Sequence, residues 1–215
     1  MSNKYNYIIG LTGNIACGKS TVVAELERLG AHVIDADHVT RLLQQPGQPV
    51  FDAIVTTFGA DILQPDGQIN RRALGEIVFT DGLQLRALEA LIHPAVHHHI
   101  KQWLAELPIG SADSPVVAVI DAIKLIESGW PAICNAVWVV TAPRELQIER
   151  LCRTRNMSLS AAITRIDVQS PQAEKTAVAD VVIYNHGDFA DTFLQVQHQW
   201  QKLFPLLDNT HERQS

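Results

Sequence analysis

The absences in this 215-residue chain exclude a good deal. Its three cysteines, Cys17, Cys134 and Cys152, are odd in number and widely spaced, with no C-x-x-C pair. Neither a disulfide framework nor a zinc site is expected from them. Basic residues number 17 against 23 acidic ones, a net charge of −6. A broad basic face for nucleic acid is therefore not expected, and any contact with a polyanion must come from a local cluster of arginines. No uninterrupted apolar run approaches membrane-spanning length, and Met1 to Asn6 carry no apolar signal core. A cytoplasmic protein without a membrane partner is the expectation. Internal repeats and low-complexity tracts are absent as well.

What remains is a balance of 47% hydrophobic and 19% charged residues, which suits one α/β domain with insertions and a sizeable core. The chemistry gathers at Gly13-Asn14-Ile15-Ala16-Cys17-Gly18-Lys19-Ser20-Thr21, directly behind the apolar run Tyr7-Ile8-Ile9-Gly10-Leu11. The spacing is G-x-x-x-x-G-K-[ST], the P-loop. Its glycines let several backbone N–H groups point into one concavity. Lys19 adds a charge for the β- and γ-phosphates, and the Ser20 hydroxyl is placed to ligate Mg²⁺. A helix from Thr21 onward would add its positive end to the same spot. A bound nucleoside triphosphate is expected.

Along the chain, a strand over residues 7–12 leads to a helix over 19–29 closed by Gly30, then a short strand over 31–34 that runs into Asp35-Ala36-Asp37. Open α/β sheets bind ligands beyond the carboxyl ends of their strands, so these aspartates should share an edge with the P-loop. Asp37 can also be read as the N-cap of a helix over 38–44. Further helices are expected over 50–58, 71–79 (behind an Asn70 cap) and 83–92. His93-Pro94 should interrupt the last, which resumes over 95–107. Roughly seventy mostly helical residues are too many for one crossover. They suggest a helical insertion over 37–110 that binds a second substrate, with residues 1–36 and 111–215 as the core. A loop over 111–115 precedes strands at 116–120, ending in Asp121, and at 136–140. A helix then starts near Pro143 and carries Arg150, Arg153 and Arg155. Another spans 158–168, a strand spans 181–184, and a last helix over 188–206 leads to a polar tail. Five strands alternating with helices give a P-loop-type, three-layer α/β fold with a five-stranded parallel sheet.

Phosphoryl transfer asks for charge neutralisation and alignment more than for covalent chemistry. The cations on offer are Lys19, the pair Arg71-Arg72, and Arg150, Arg153 and Arg155. The last three read either as a solvated helix face or as the cationic side of a lid over about 144–170, closing to exclude water. Consecutive residues of a helix point about 100° apart, so His97-His98-His99 cannot converge on one ion and read as surface. His93 sits where an imidazole could face a site or serve structurally. Cys17, inside the phosphate loop, should feel a positive field that favours its thiolate.

Taken in order, these motifs resemble the dephospho-coenzyme A kinase family across nearly the whole chain. The resemblance runs through Ile9 to Gly13 with Gly18 to Thr21, Val33 to Asp37, Ile69-Asn70-Arg71, Leu74 to Phe79 and Leu91-Ile92-His93-Pro94. It continues through Pro143, Gln147, Arg150, Arg165-Ile166, Gln169 and Lys175, and through Ala179 to Ile183 with Asn185 and Gly187. The resemblance implies transfer of the ATP γ-phosphate to the ribose 3′-hydroxyl of dephospho-coenzyme A, the final step of coenzyme A synthesis. The sequence does not report the oligomeric state, for which a monomer is slightly favoured, and the net charge speaks against a nucleic-acid partner. By position, Asp37 would accept the hydroxyl proton or hold that hydroxyl in line. Gly13 to Thr21 would hold ATP, Arg71 and His93 would face the acceptor, and Arg150 would come from the lid onto the phosphates. The Asn185-His186-Gly187 turn would border the adenine. The chain departs from the family pattern at Asp121-Ala122-Ile123-Lys124-Leu125-Ile126-Glu127, which lacks a proline and carries a lysine. It departs again at Thr154, in register with a second lid arginine. Other readings are another P-loop nucleoside or nucleotide kinase, and a non-catalytic nucleotide-binding descendant. A guanine-reading Asn-Lys-x-Asp motif is absent, and so is the strand-end Asp-Glu pair of a motor ATPase.

Overall fold

The computed structural model describes residues 6–111 and 115–203. The N-terminal residues 1–5, the centre of the expected 111–115 loop, the end of the expected last helix and the polar tail lie outside the described residues. The chain divides into two compact units, Met1–Ile34 with Leu107–Ser215, and Asp35–Glu106.

The first unit is built on a sheet of strands β1 (Asn6–Thr12), β2 (His32–Asp35), β3 (Val116–Asp121), β4 (Ala136–Thr141) and β5 (Val181–Tyr184), in the order β2-β3-β1-β4-β5. The pairings β1–β3, β1–β4 and β4–β5 are parallel. Because β1 is central, both of its faces are covered, which is why it reads as a continuous apolar run. Ile9 and Leu11 are fully buried, in one cluster with Val117, Val119, Trp138 and Val140. Val22 and Leu26 of helix α1 (Lys19–Arg28) join that cluster, as do Val196 and Trp200 of helix α9 (Phe189–Gln201). On Gly10 a Cβ would lie 2.8 Å from Leu125 Cδ2 and 2.9 Å from Cys134 Sγ. The missing side chain lets the segment after β3 pack directly onto the central strand. Register sets Leu11 beside Asp121 and Thr12 beside Val139, so the ends of β1, β3 and β4 lie side by side just before the P-loop.

Helices α6 (Arg144–Arg155) and α7 (Leu159–Asp167) pack through Leu151, Ala162 and Ile166. Helix α8 (Gln172–Ala177) was not expected, since six residues are too few to show a period.

The second unit holds α2 (Ala36–Leu43), α3 (Pro49–Phe58), α4 (Arg71–Val78) and the 25-residue α5 (Gly82–Glu106), against which the other three pack. Two expectations need correcting here. Helix α5 runs without a break through Pro94. A proline removes one intrahelical hydrogen bond, but Ile92, Val96 and Ile100 are all buried at four-residue spacing across it, and that common packing face holds the turns in register. The N-cap of α2 is Asp35, not Asp37: Asp35 Oδ1 accepts from the His38 N–H at 2.8 Å, and Asp37 sits in the first turn. Asn70 caps α4 as expected, accepting from the Arg72 and Ala73 N–H groups at 3.1 Å each.

Candidate active site

The loop after β1 is shaped by two residues in the left-handed region, Ala16 (φ 58°) and Gly18 (φ 91°), which flank Cys17. Such alternation turns successive N–H groups toward one side and makes an anion-binding nest. At Gly18 a side chain would have to displace Asn185: a Cβ there would lie 1.7 Å from Asn185 Nδ2. The outer side of the loop is tied down. The Ile15 N–H donates to Gln169 Oε1 at 2.7 Å, and Asn14 Nδ2 donates to the Ser170 carbonyl at 3.0 Å. Arg150 Nη1 donates to the Ala16 carbonyl at 3.2 Å, and Asn185 Nδ2 donates to the Cys17 carbonyl at 3.0 Å. The Cys17 N–H closes the turn on the Asn14 carbonyl at 3.2 Å, and the Thr21 N–H bonds the Gly18 carbonyl at 3.0 Å. Among the described residues, the N–H groups of Ala16, Gly18 and Ser20 have no acceptor. The buried Asn14 Oδ1 also lacks a partner.

Helix α1 begins directly on Lys19, with no side-chain cap and no acidic residue in its first turn. Its positive end is thus left for an external anion. Ser20 is exposed on that turn. Lys19 Nζ bonds Asp121 Oδ1, with both side chains largely buried (17% and 11% exposed). Asp121 is the site residue that the sequence motifs leave unassigned, because it stands without the glutamate of an Asp-Glu pair. A signal for it exists all the same: an apolar strand ending in a carboxylate, neighbour to the strand that feeds the P-loop. The backbone beyond Asp121 is pinned where Thr12 Oγ1 and the buried Lys175 Nζ both donate to the Ile123 carbonyl, at 3.0 and 2.6 Å.

The expected Cys17 thiolate also needs correcting. Cys17 is 1% exposed and belongs to the apolar cluster under the sheet. Burial pushes its thiol up to about 11, outweighing the Lys19 N–H and the charges of Lys19 and Arg150, which pull the other way. The cation field is present, but the side chain points into the core.

A phosphate-holding loop built this way occurs in many enzymes, and comparison with known proteins identifies which kind this is. The family model for dephospho-CoA kinase matches residues 7–191. A dephospho-CoA kinase of Symbiobacterium thermophilum is 45% identical over 194 residues, covering 90% of this chain and 80% of the relative. One from Geobacter sulfurreducens is 44% identical over 198 residues, covering 92% and 99%. Among solved structures, the dephospho-CoA kinase from Campylobacter jejuni superposes with a TM-score of 0.63 at 28% identity, covering 93% of this chain and 98% of that one. TT1252 from Thermus thermophilus gives 0.79 at 30% identity, covering 92% and 98%. The chain belongs to the dephospho-CoA kinase family. It is a P-loop kinase of coenzyme A biosynthesis, a transferase that phosphorylates an alcohol group. No helix among the described residues is long and apolar enough to cross a membrane.

The other expected site residues fall into two groups. In the first unit, Arg150 and Asn185 meet the P-loop backbone as described, and Arg150 Nη2 also reaches the Asn185 carbonyl at 3.2 Å. Arg153 pairs with Glu149 along its own helix at 3.5 Å, with both side chains exposed. Asp37, Arg71 and His93 belong to the second unit. Arg71 is the exposed first residue of α4, His93 is half-buried on α5, and Asp37 is half-buried on α2.

Proposed function

We propose that the P-loop unit holds ATP and that its γ-phosphate passes to the ribose 3′-hydroxyl of dephospho-coenzyme A, with residues 37–110 binding that acceptor and residues 144–170 serving as a lid. The observation that carries this reading is the set of unpartnered N–H groups at Ala16, Gly18 and Ser20, gathered at an uncapped helix start beside Lys19. This donor set suits a chain of phosphate oxygens and little else. Lys19 exchanges its bond to Asp121 for the β- and γ-phosphates, so the cation is kept near the site while no anion is there. Asp37 accepts the proton of the 3′-hydroxyl or holds that hydroxyl in line, and Arg71 and His93 face the acceptor. The hydroxyl of Ser20 and the carboxylate of Asp121 form the oxygen donor set that suits Mg²⁺. That ion, when bound, would neutralise charge on the phosphates.

The test is ADP release measured with dephospho-coenzyme A, adenosine, nucleoside monophosphates and shikimate as acceptors. Turnover confined to dephospho-coenzyme A is expected. Turnover confined to any of the others would overturn the assignment of the acceptor, and ATP binding without any turnover would leave the chain a nucleotide-binding descendant.

A further inference from the structure

Peptide bonds among the described residues are trans, so the carbonyl of one residue and the N–H of the next point in opposite directions. Gripping a carbonyl from one side therefore aims the following N–H to the other. Arg150 on the Ala16 carbonyl aims the Cys17 N–H inward, where it closes the turn on Asn14. Asn185 on the Cys17 carbonyl does the same for the N–H of Gly18, one of the unpartnered donors of the cradle. What must be explained is why the Asn185 amide presents its NH₂ to the loop and not its oxygen.

The network around Asn185 determines this. The side chain is 1% exposed. Its Oδ1 accepts from Arg150 Nη2 at 3.3 Å and from Thr192 Oγ1 at 3.3 Å. A guanidinium cannot accept a hydrogen bond, so Oδ1 must face Arg150 and Nδ2 must face the Cys17 carbonyl. Thr192 is fully buried on α9, and nothing in the proposed reaction uses it. A flipped amide would set Nδ2 against the guanidinium and Oδ1 against a carbonyl, two repulsive contacts in a buried site.

We propose that Thr192 and Asn185 are positioning residues for phosphate binding: Thr192 locks the Asn185 amide, and Asn185 locks the peptide between Cys17 and Gly18 so that the Gly18 N–H faces the phosphates. The proposal rests on the reading of the P-loop as the ATP phosphate site. It assigns Asn185 to the phosphates rather than to the base of the nucleotide, and it gives Arg150 a bracing role on the loop.

The distinguishing probe is inorganic tripolyphosphate, which has phosphates and no base. Calorimetric titrations with ATP and with tripolyphosphate, in the presence of magnesium, compare the wild type with Thr192→Val, Thr192→Ser and Asn185→Leu, with thermal melts to establish folding. Net hydrogen-bond energies of about 1 kcal/mol predict a loss of roughly fivefold for Thr192→Val and tenfold or more for Asn185→Leu. The loss should be equal for the two ligands, and Thr192→Ser should restore wild-type affinity. With ¹⁵N-glycine labelling, the Gly18 amide should shift downfield on tripolyphosphate binding in the wild type and less in Thr192→Val. A loss of ATP affinity with tripolyphosphate affinity intact would make Asn185 a reader of the base and overturn the proposal. Unchanged affinities, or a Thr192→Ser variant as weak as Thr192→Val, would overturn it too. If Asn185→Leu does not fold, the two Thr192 variants still decide. Failure of the underlying reading looks different, because then the wild type itself binds neither ligand.

Discussion

Replacing Gly18 with alanine tests the geometry of the loop most directly, and Gly30 supplies the control. Both glycines are in the left-handed region, at φ 91° and 99°, so alanine at either costs about 1–2 kcal/mol in backbone strain. They differ in surroundings. A Cβ at Gly30 meets nothing within 4 Å, whereas one at Gly18 would lie 1.7 Å from Asn185 Nδ2 and 3.4 Å from Arg150 Nη1. At Gly18 the Asn185 side chain must leave, breaking its bonds to the Cys17 carbonyl, Thr192 and Arg150 at about 1 kcal/mol apiece. The expected destabilisation is about 1–2 kcal/mol for Gly30→Ala and about 4–5 kcal/mol for Gly18→Ala. In a chain of this size each kcal/mol lowers the melting temperature by about 2–4 °C, so the two variants separate clearly in a thermal melt. ATP titration should show wild-type affinity in Gly30→Ala and a loss of tenfold or more in Gly18→Ala. Equal melting temperatures, with ATP affinity intact in Gly18→Ala, would refute the idea that contact with Asn185 shapes the loop.

Lys19→Met should abolish transfer while leaving the circular dichroism spectrum unchanged; loss of the folded spectrum would make the Lys19–Asp121 pair structural instead. Asp37→Asn should lower turnover by about a hundredfold or more, the range for removing a general base, with ATP affinity retained; unchanged turnover would reduce Asp37 to a residue of the α2 first turn. The Cys17 thiol ionises less readily in the folded chain (about 11) than its ordinary value of 9.0. The stability it contributes is therefore complete below pH 9 and falls as the pH rises toward about 11. Cys17→Ala should flatten that alkaline decline in a pH series of urea midpoints, and an unaltered decline would assign it elsewhere. Pro94→Ala restores a backbone donor inside a continuous helix and should raise stability by about 1–3 kcal/mol. A lower melting temperature would mean that α5 depends on a bend at Pro94.

Much of this molecule is legible one residue at a time. The strands β1, β3 and β4 are apolar because they lie inside a parallel sheet, whose two covered faces leave no position for a polar alternation. The P-loop is legible because phosphate chemistry imposes its spacing on a local stretch of chain. The Asn70 cap is visible because capping is a three-residue affair. Where structure and expectation part, the deciding contact is distant in sequence. Pro94 looks like a break because the local rule counts the lost hydrogen bond and not the face shared by Ile92, Val96 and Ile100. Cys17 looks reactive because its neighbours are cationic, but the direction of its side chain is set by the loop turning over the sheet core.

Several residues that carry the family resemblance have architectural places. Gln147 Nε2 donates to the Ala142 carbonyl at 2.9 Å, Asp180 Oδ2 accepts from the Val137 N–H at 2.7 Å, and Lys175 grips the bend after β3. A motif match reports that such residues matter without saying for what.

By itself the sequence determined the α/β class, the phosphate loop, the helical character of the middle of the chain and the family, because each is written in local spacing or in ordered motifs. The tertiary structure alone decided which groups of the P-loop are free to act. Whether an N–H faces a phosphate or a carbonyl faces an arginine depends on Gln169, Arg150, Asn185 and Thr192, which arrive from later in the chain. It also brought Asp121 to Lys19, across 102 residues of sequence. Hydrogen-bond direction and side-chain orientation are properties of a folded neighbourhood, and no spacing within one segment encodes them.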